Sequence, residues 1–117
     1  MERDPRAYLW DAKQAADAIR TFIEGVDFIT YDQSEMMRSA VERKFEIIGE
    51  ALAQLARQTP EVAARLPDFR GPIAFRNTLI HGYHRVDHAE VWYITHTALP
   101  DLHAAMSALL EELGPPE

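Results

Sequence analysis

The sequence predicts an all-α fold, an up-and-down bundle of four main helices with one additional short helix. Three observations carry that expectation. Apolar residues recur at three- and four-residue spacing along most of the chain; no run alternates apolar and polar residues long enough for a sheet; and Asp, Pro and Gly stand where the periodic stretches would start and stop. At 117 residues the chain is expected to form a single domain over 1–117, because two hydrophobic cores would need roughly twice that length.

The first helix opens at Asp4-Pro5, read as N-cap and first helical residue, carries Leu9, Ala12, Ala16, Ile19 and Ile23 on one face, and ends at Gly25. The second and longest begins near Asp32, with Glu35 placed for a capping box, and runs through Met37, Val41, Phe45, Ile48, Leu52 and Leu55 until Thr59-Pro60 stops it. Pro60-Glu61-Val62 starts the short helix, which Pro67 cuts, leaving an irregular stretch to Pro72. From about Gly71 the pattern resumes through Ile73, Leu79 and Ile80 to Gly82, expected to end that helix in the left-handed conformation. The last helix opens at Asp87, with Glu90 completing a second capping box, and continues through Val91, Ile94, Ala98, Leu102, Ala105, Leu109 and Leu110 to Gly114-Pro115, with a kink at Pro100.

Composition narrows the function. A chain that is 47% apolar and 26% charged, with two tryptophans, is an ordinary globular protein rather than a disordered tail. With no cysteine it has no disulfides, thiolate metal site or thiol nucleophile. The opening Met1-Glu2-Arg3-Asp4-Pro5 lacks the basic-then-apolar order of a signal peptide, and the longest uncharged stretch, 91–100, is too short to span a bilayer. A cytoplasmic protein with no membrane partner is expected.

A net charge of −7 argues against a general polyanion binder, but the charge is unevenly spread. Between Arg65 and Arg85 four arginines stand against one acid, Asp68, while the rest of the chain carries eight bases against eighteen acids. Ten of the twelve basic residues are Arg, whose planar fork suits bidentate contact with a phosphate. The concentration favours a small phosphate-facing site, and contact with few phosphates implies a shallow salt dependence.

Several common sites are absent: there is no Gly-rich phosphate loop, no Gly-x-Ser-x-Gly and no Glu-x-x-His. His81, His84 and His88, with Asp87, have spacings that would let a metal bind on one helical face, but Gly82 and the helix start at Asp87 interrupt that face. His96 and His103 read as ordinary helix positions, and neither metal nor cofactor is expected.

The segment Arg76-Asn77-Thr78-Leu79-Ile80-His81-Gly82-Tyr83 puts an Arg, an amide, a His and a Tyr within about two turns of the basic stretch, the His at a helix C-terminus where the dipole favours a cation. Metal-independent RNA cleavage needs a base for the 2′-hydroxyl, an acid for the leaving 5′-oxygen and a cation for the charge building on phosphorus oxygens. His supplies the proton transfers and Arg the cation. Asn77 and His81 share a helical face, whereas Arg76 and His81 point roughly 140° apart. One helix also supplies one His for two roles, and a symmetric dimer would double both groups. The alternative is that Arg76 and Asn77 cap or brace neighbouring helices while His81 packs against the last one.

The same stretch matches the R-x4-6-H signature of the HEPN superfamily, and as R-x4-H-x-Y it resembles the HepT-like toxins in particular. Val41-Glu42-Arg43-Lys44-Phe45-Glu46-Ile47-Ile48-Gly49-Glu50-Ala51 is similar to that family's second helix, and Val86-Asp87, Val91-Trp92 and Leu99-Pro100 to its last, so the likeness covers most of the chain from about residue 35. It implies a HEPN-like helical fold and a homodimeric, metal-independent ribonuclease toxin of a type VII-like toxin–antitoxin system. Arg76 and His81 would be catalytic, with Asn77 as the polar residue after the Arg. It further implies an RNA substrate, tRNA among the candidates, and an MntA-type nucleotidyltransferase antitoxin that transfers AMP to Tyr83. Relatives often have Gly where this chain has Ala74, a change to a better helix former. The competing expectation is a non-catalytic docking partner of a minimal nucleotidyltransferase.

Overall fold

The computed structural model describes residues 3–68 and 70–114; Met1, Glu2 and Pro115, on which the terminal readings partly rest, lie outside the described residues. Among the described residues there are seven α-helices and one 3-10 turn, and no strand. The elements are α1 (Pro5–Ile23), α2 (Phe28–Gln33), α3 (Glu35–Gln58), α4 (Pro60–Ala63), α5 (Arg70–His81), the 3-10 turn (Tyr83–Arg85), α6 (His88–His96) and α7 (Ala98–Leu113).

α1 starts as expected, with the Asp4 carboxylate accepting the Arg6 backbone N–H at 2.9 Å, and Gly25 follows it at φ 72°. Before α3 the chain forms a helix that the sequence pattern missed, α2, capped by Asp27, whose carboxylate accepts the Thr30 N–H at 2.8 Å. Six residues are too few to display a period. Because Asp32 is inside α2, the cap of α3 is Ser34, whose hydroxyl accepts the Met37 N–H at 3.1 Å, and Glu35 is the first helical residue rather than the far half of a capping box.

Two further expectations are corrected. Gly82 ends α5 at φ −124°, outside the left-handed region, because the chain goes directly into a right-handed 3-10 turn in which Arg85 N–H donates to Gly82 C=O at 2.8 Å. The long last helix is two helices. Pro100 has no N–H and its ring would collide with the His96 carbonyl, so the helix breaks at Thr97 (φ −124°, ψ −85°) instead of kinking, and Pro100 sits in the first turn of α7, where its missing donor costs nothing. Asp87 does cap α6, accepting from the N–H groups of Ala89 and Glu90.

α3 is the axis of the molecule, with α1 and α5 packed along it, α7 on α1, and α6 bridging α7 and α2. Leu9, Ile19, Val41, Ile48, Leu52, Leu55, Leu99 and Met106 are wholly buried at the junction of α1, α3 and α7. Burying a side chain of this size contributes roughly 1.5–3 kcal/mol, so this cluster holds the helices that the site leans on. Phe45 and Phe75 meet edge to face at 5.2 Å and tie α5 to α3, while Trp92 packs 5.0 Å from Tyr31 and ties α6 to α2. No helix among the described residues is long and apolar enough to cross a membrane.

Candidate active site

The site begins with a glycine. A Cβ on Gly49, in the middle of α3, would lie 2.4 Å from the Cβ of Arg76 and 2.7 Å from the backbone oxygen of Pro72. Only a residue without a side chain lets α5 approach this closely, and the approach lays the Arg76 stem directly on the α3 backbone. Arg76 Nη2 then stands 3.0 Å from Glu50 Oε2, and Nη1 donates to Asn77 Oδ1 at 3.3 Å. The other Glu50 oxygen accepts from Gln54 Nε2 at 3.0 Å, one turn further along α3. Arg76 Nε is buried and has no hydrogen-bond partner among the described residues.

Arg76 opens onto a cleft of about 400 Å³ between α1, α3 and α5, shared with Tyr8, Arg43, Glu50, Gln54 and Ile80. The cleft also holds Arg3, whose guanidinium pairs with Asp11 at 2.8 Å and lies 5.0 Å over the Tyr8 ring. Three arginines and three carboxylates (Asp11, Glu46 and Glu50) line it, so it is a mixed-charge recess, not a broad basic track.

His81 is the last residue of α5 and is exposed. Among the described residues no hydrogen bond or ion pair reaches it, and none joins it to Arg76, as the angle between them predicts. Nor does it pack into the core against the last helix. Tyr83, two residues on, is 75% exposed at the start of the 3-10 turn, its ring 5.8 Å from that of His84.

The other histidines differ. His88 is half-buried, its Nδ1 has no hydrogen-bond partner among the described residues, and it faces the Glu42 carboxyl, which burial pushes above its usual range. His96 Nδ1 lies 3.0 Å from the Trp92 carbonyl, and His103 Nε2 lies 2.6 Å from Asp17 Oδ1. Among the described residues no three His, Asp or Glu side chains converge as a metal site would require. Beyond their place in the segment similar to the family's second helix, the sequence pattern gives Gly49 and Glu50 no individual role; the signal it does carry is a lone glycine inside a strongly periodic helix, which costs stability unless something packs there.

An all-helical chain presenting Arg-Asn-x-x-x-His-x-Tyr across the end of a helix, with the Arg set in a cleft and the His in solvent, has the build of a HEPN-type protein. Comparison with known proteins makes the assignment: the family model described as Ribonuclease HepT-like matches residues 12–109, and the chain belongs to the HepT-like ribonuclease family. It is 31% identical over 101 residues to "Putative RNase MJ1380" of Methanocaldococcus jannaschii, covering 86% of this chain and 92% of that one. It is 28% identical over 112 residues to "Putative RNase MJ0125" of the same organism, covering 96% of each. With "Probable ribonuclease HepT" of Thermococcus cleftensis it shares 29% over 102 residues, covering 87% of this chain and 92% of that one. No solved structure matches.

Proposed function

We propose that the protein is a metal-independent endoribonuclease and the toxin of a toxin–antitoxin pair, acting in the cytoplasm as one HEPN-like domain over 1–117 that works as a homodimer. The observation that carries this reading is the contrast within α5: Arg76 is fixed in a cleft with part of its guanidinium open, and His81 on the same helix is free in solvent.

In the proposed reaction one His81, neutral, takes the proton of an RNA 2′-hydroxyl. The 2′-oxygen attacks the adjacent phosphorus, and the P–O5′ bond breaks as the second His81, protonated, from the other copy, gives its proton to the leaving oxygen. The products are a 2′,3′-cyclic phosphate and a 5′-hydroxyl end. Arg76 stabilises the charge on the phosphorus oxygens during the displacement, a role for which preorganised cations are worth most. Asn77 supports it by accepting from Nη1. A homodimer supplies the acid and base that one chain lacks, since a single chain offers one free His81.

Tyr83 is the proposed acceptor of AMP from an MntA-type nucleotidyltransferase antitoxin. The phenolic oxygen would attack the α-phosphorus of ATP and release pyrophosphate, and the exposed ring has room for it. The phosphodiester formed puts a negative, bulky group two residues from His81, repelling an RNA phosphate by charge and volume together. The test is cleavage of RNA, tRNA included, by the purified chain in EDTA, with end-group analysis and His81→Ala alongside. Cleavage that survives chelation, leaves a cyclic phosphate and disappears in the variant supports the proposal. An equal rate in His81→Ala would reject it, and no cleavage by protein shown by mass to lack AMP would favour a non-catalytic docking partner of the nucleotidyltransferase.

A further inference from the structure

We propose that Glu50, on α3, is a positioning residue for Arg76, holding the guanidinium in the orientation that meets the phosphate in the transition state. The inference rests on the reading of Arg76 as the phosphate-facing cation. An arginine projecting from a helix has several rotatable bonds, and an unheld guanidinium would sample many positions. Here each end of the side chain is fixed. The contact with the Gly49 backbone sets the direction of the stem, since no side chain could fit between the Arg76 Cβ and α3. At the tip, Glu50 Oε2 lies 3.0 Å from Nη2, and Asn77 Oδ1 accepts from Nη1 at 3.3 Å. Glu50 is itself held, because Gln54 donates to its other oxygen at 3.0 Å from the next turn of the same helix. Each terminal nitrogen keeps a second N–H, so the paired guanidinium can still offer two donors to one phosphate.

The other arginines of the cleft are built differently. Arg3 is paired with Asp11 and lies over a tyrosine ring, and Arg43 is largely exposed, its nearest carboxylate 3.9 Å away. Of the three cleft arginines, all among the described residues, Arg76 alone combines a backbone-contacted stem with an ion pair at one terminal nitrogen and a hydrogen bond at the other.

A carboxylate beside a phosphate-binding arginine has two opposed effects, and these make the idea testable. As a negative charge, Glu50 weakens the attraction of RNA to the cleft. As a positioning group, it keeps Arg76 where charge develops, and misplacement by about 1 Å can cost on the order of 100-fold in rate. Removing it should therefore lower kcat without raising KM. A merely structural residue would lower the melting temperature instead, and a binding residue would raise KM.

The experiment measures steady-state RNA cleavage and thermal melting of the full chain for wild type, Glu50→Ala, Glu50→Gln, Arg76→Ala and the Arg76→Ala/Glu50→Ala double variant. The expected result is a fall in kcat of about 10- to 100-fold for Glu50→Ala, with KM unchanged or lower and melting unchanged. Glu50→Gln, which keeps the length of the side chain but loses the charge that pairs with Nη2, should give a kcat between those of Glu50→Ala and wild type. The second substitution should change nothing in the Arg76→Ala background, there being no guanidinium left to hold. Wild-type kcat in Glu50→Ala, or an equal further loss in the double variant, would overturn the positioning role while leaving Arg76 in place. Undiminished cleavage by Arg76→Ala would instead overturn the reading of Arg76 itself.

Discussion

Arg76 and His81 stand little more than one turn apart on α5, yet they meet opposite surroundings. Arg76 is pressed onto the α3 backbone at Gly49 and paired through both terminal nitrogens, whereas His81 ends the helix in solvent with no polar partner among the described residues. The difference follows from what each group would have to do. A cation that stabilises developing charge is useful only if it is in place before the charge appears, so reorganisation must be prevented beforehand. A group that exchanges protons must reach substrate and solvent and recover its starting state every turnover, which burial would hinder. On the proposed reading, the helix would build one half of the site inside the fold and present the other half outward, where a second copy would complete it.

The largest expected effect lies at the exposed end. His81→Ala should reduce cleavage by about 10²- to 10⁴-fold, the usual contribution of a general acid–base group, with little change in melting temperature because the side chain is exposed and makes no hydrogen bond among the described residues. A clear fall in melting temperature would break the comparison, since it would mean that His81 is part of the packing after all.

Next come two glycine substitutions, one at each end. Gly49→Ala places a methyl group 2.4 Å from the Arg76 Cβ and 2.7 Å from a backbone oxygen that cannot swing aside. Overpacking of this kind costs about 1–3 kcal/mol, against about 1 kcal/mol gained in helix propensity, so melting should fall and cleavage should fall with it as α5 is pushed away from α3. Gly82→Ala meets the Thr78 carbonyl at 3.3 Å and the Thr78 Cγ2 at 4.0 Å, far looser than at Gly49, and keeps an accessible φ of −124°, so its effect on melting should be within about 0.5 kcal/mol. Equal losses from the two substitutions would show that the close approach at Gly49 is not special. Tyr83→Phe is expected to be smaller still for cleavage, leaving the rate within about twofold because the exposed side chain's hydroxyl makes no hydrogen bond among the described residues, while mass spectrometry after incubation with the proposed nucleotidyltransferase and ATP should find no added AMP.

The same contrast explains what could be read in the sequence. The all-helical class and the course of α1, α3 and α5 were legible because Leu9 to Ile23 and Val41 to Leu55 repeat at helical spacing over four or more turns, with Pro5, Gly25 and Pro60 marking ends. α2 was illegible because six residues hold less than two periods, and Asp27 and Ser34 both compete with Asp32 for the role of cap. The split at Thr97 was readable only in part: Pro100 announces a disturbance, but whether a helix bends or breaks depends on whether a neighbour needs it straight. At the site, the motif named Arg76, Asn77, His81 and Tyr83. It could not name Glu50 or Gly49, whose importance comes from contact across two helices and not from spacing along one.

The smallest expected effects distinguish two carboxylates that do not line the cleft. Burial pushes the Glu42 carboxyl above its usual range and repulsion from Glu46 adds to this, with His88 and Arg38 opposing. Burial acts the same way on Asp17, but there the hydrogen bonds from His103 and Lys13, with their charge, outweigh it and hold the group below its usual range. The two therefore respond to pH with opposite sign. For Glu42 the linked stability is full below the ordinary Glu range, near pH 4, and is lost as pH rises through the raised value, so Glu42→Gln should raise the melting temperature at pH 7 and lose that advantage in acid. For Asp17 the linked stability is present above the ordinary Asp range and is lost as pH falls through the lowered value, so Asp17→Asn should lower melting at pH 7, by no more than about 1 kcal/mol for so exposed a pair, and match wild type in strong acid. Melting curves of both variants from pH 8 down into strong acid, about pH 2, check this, and parallel curves of the same sign would mean that the His103 and Lys13 contacts do not outweigh burial at Asp17 in solution.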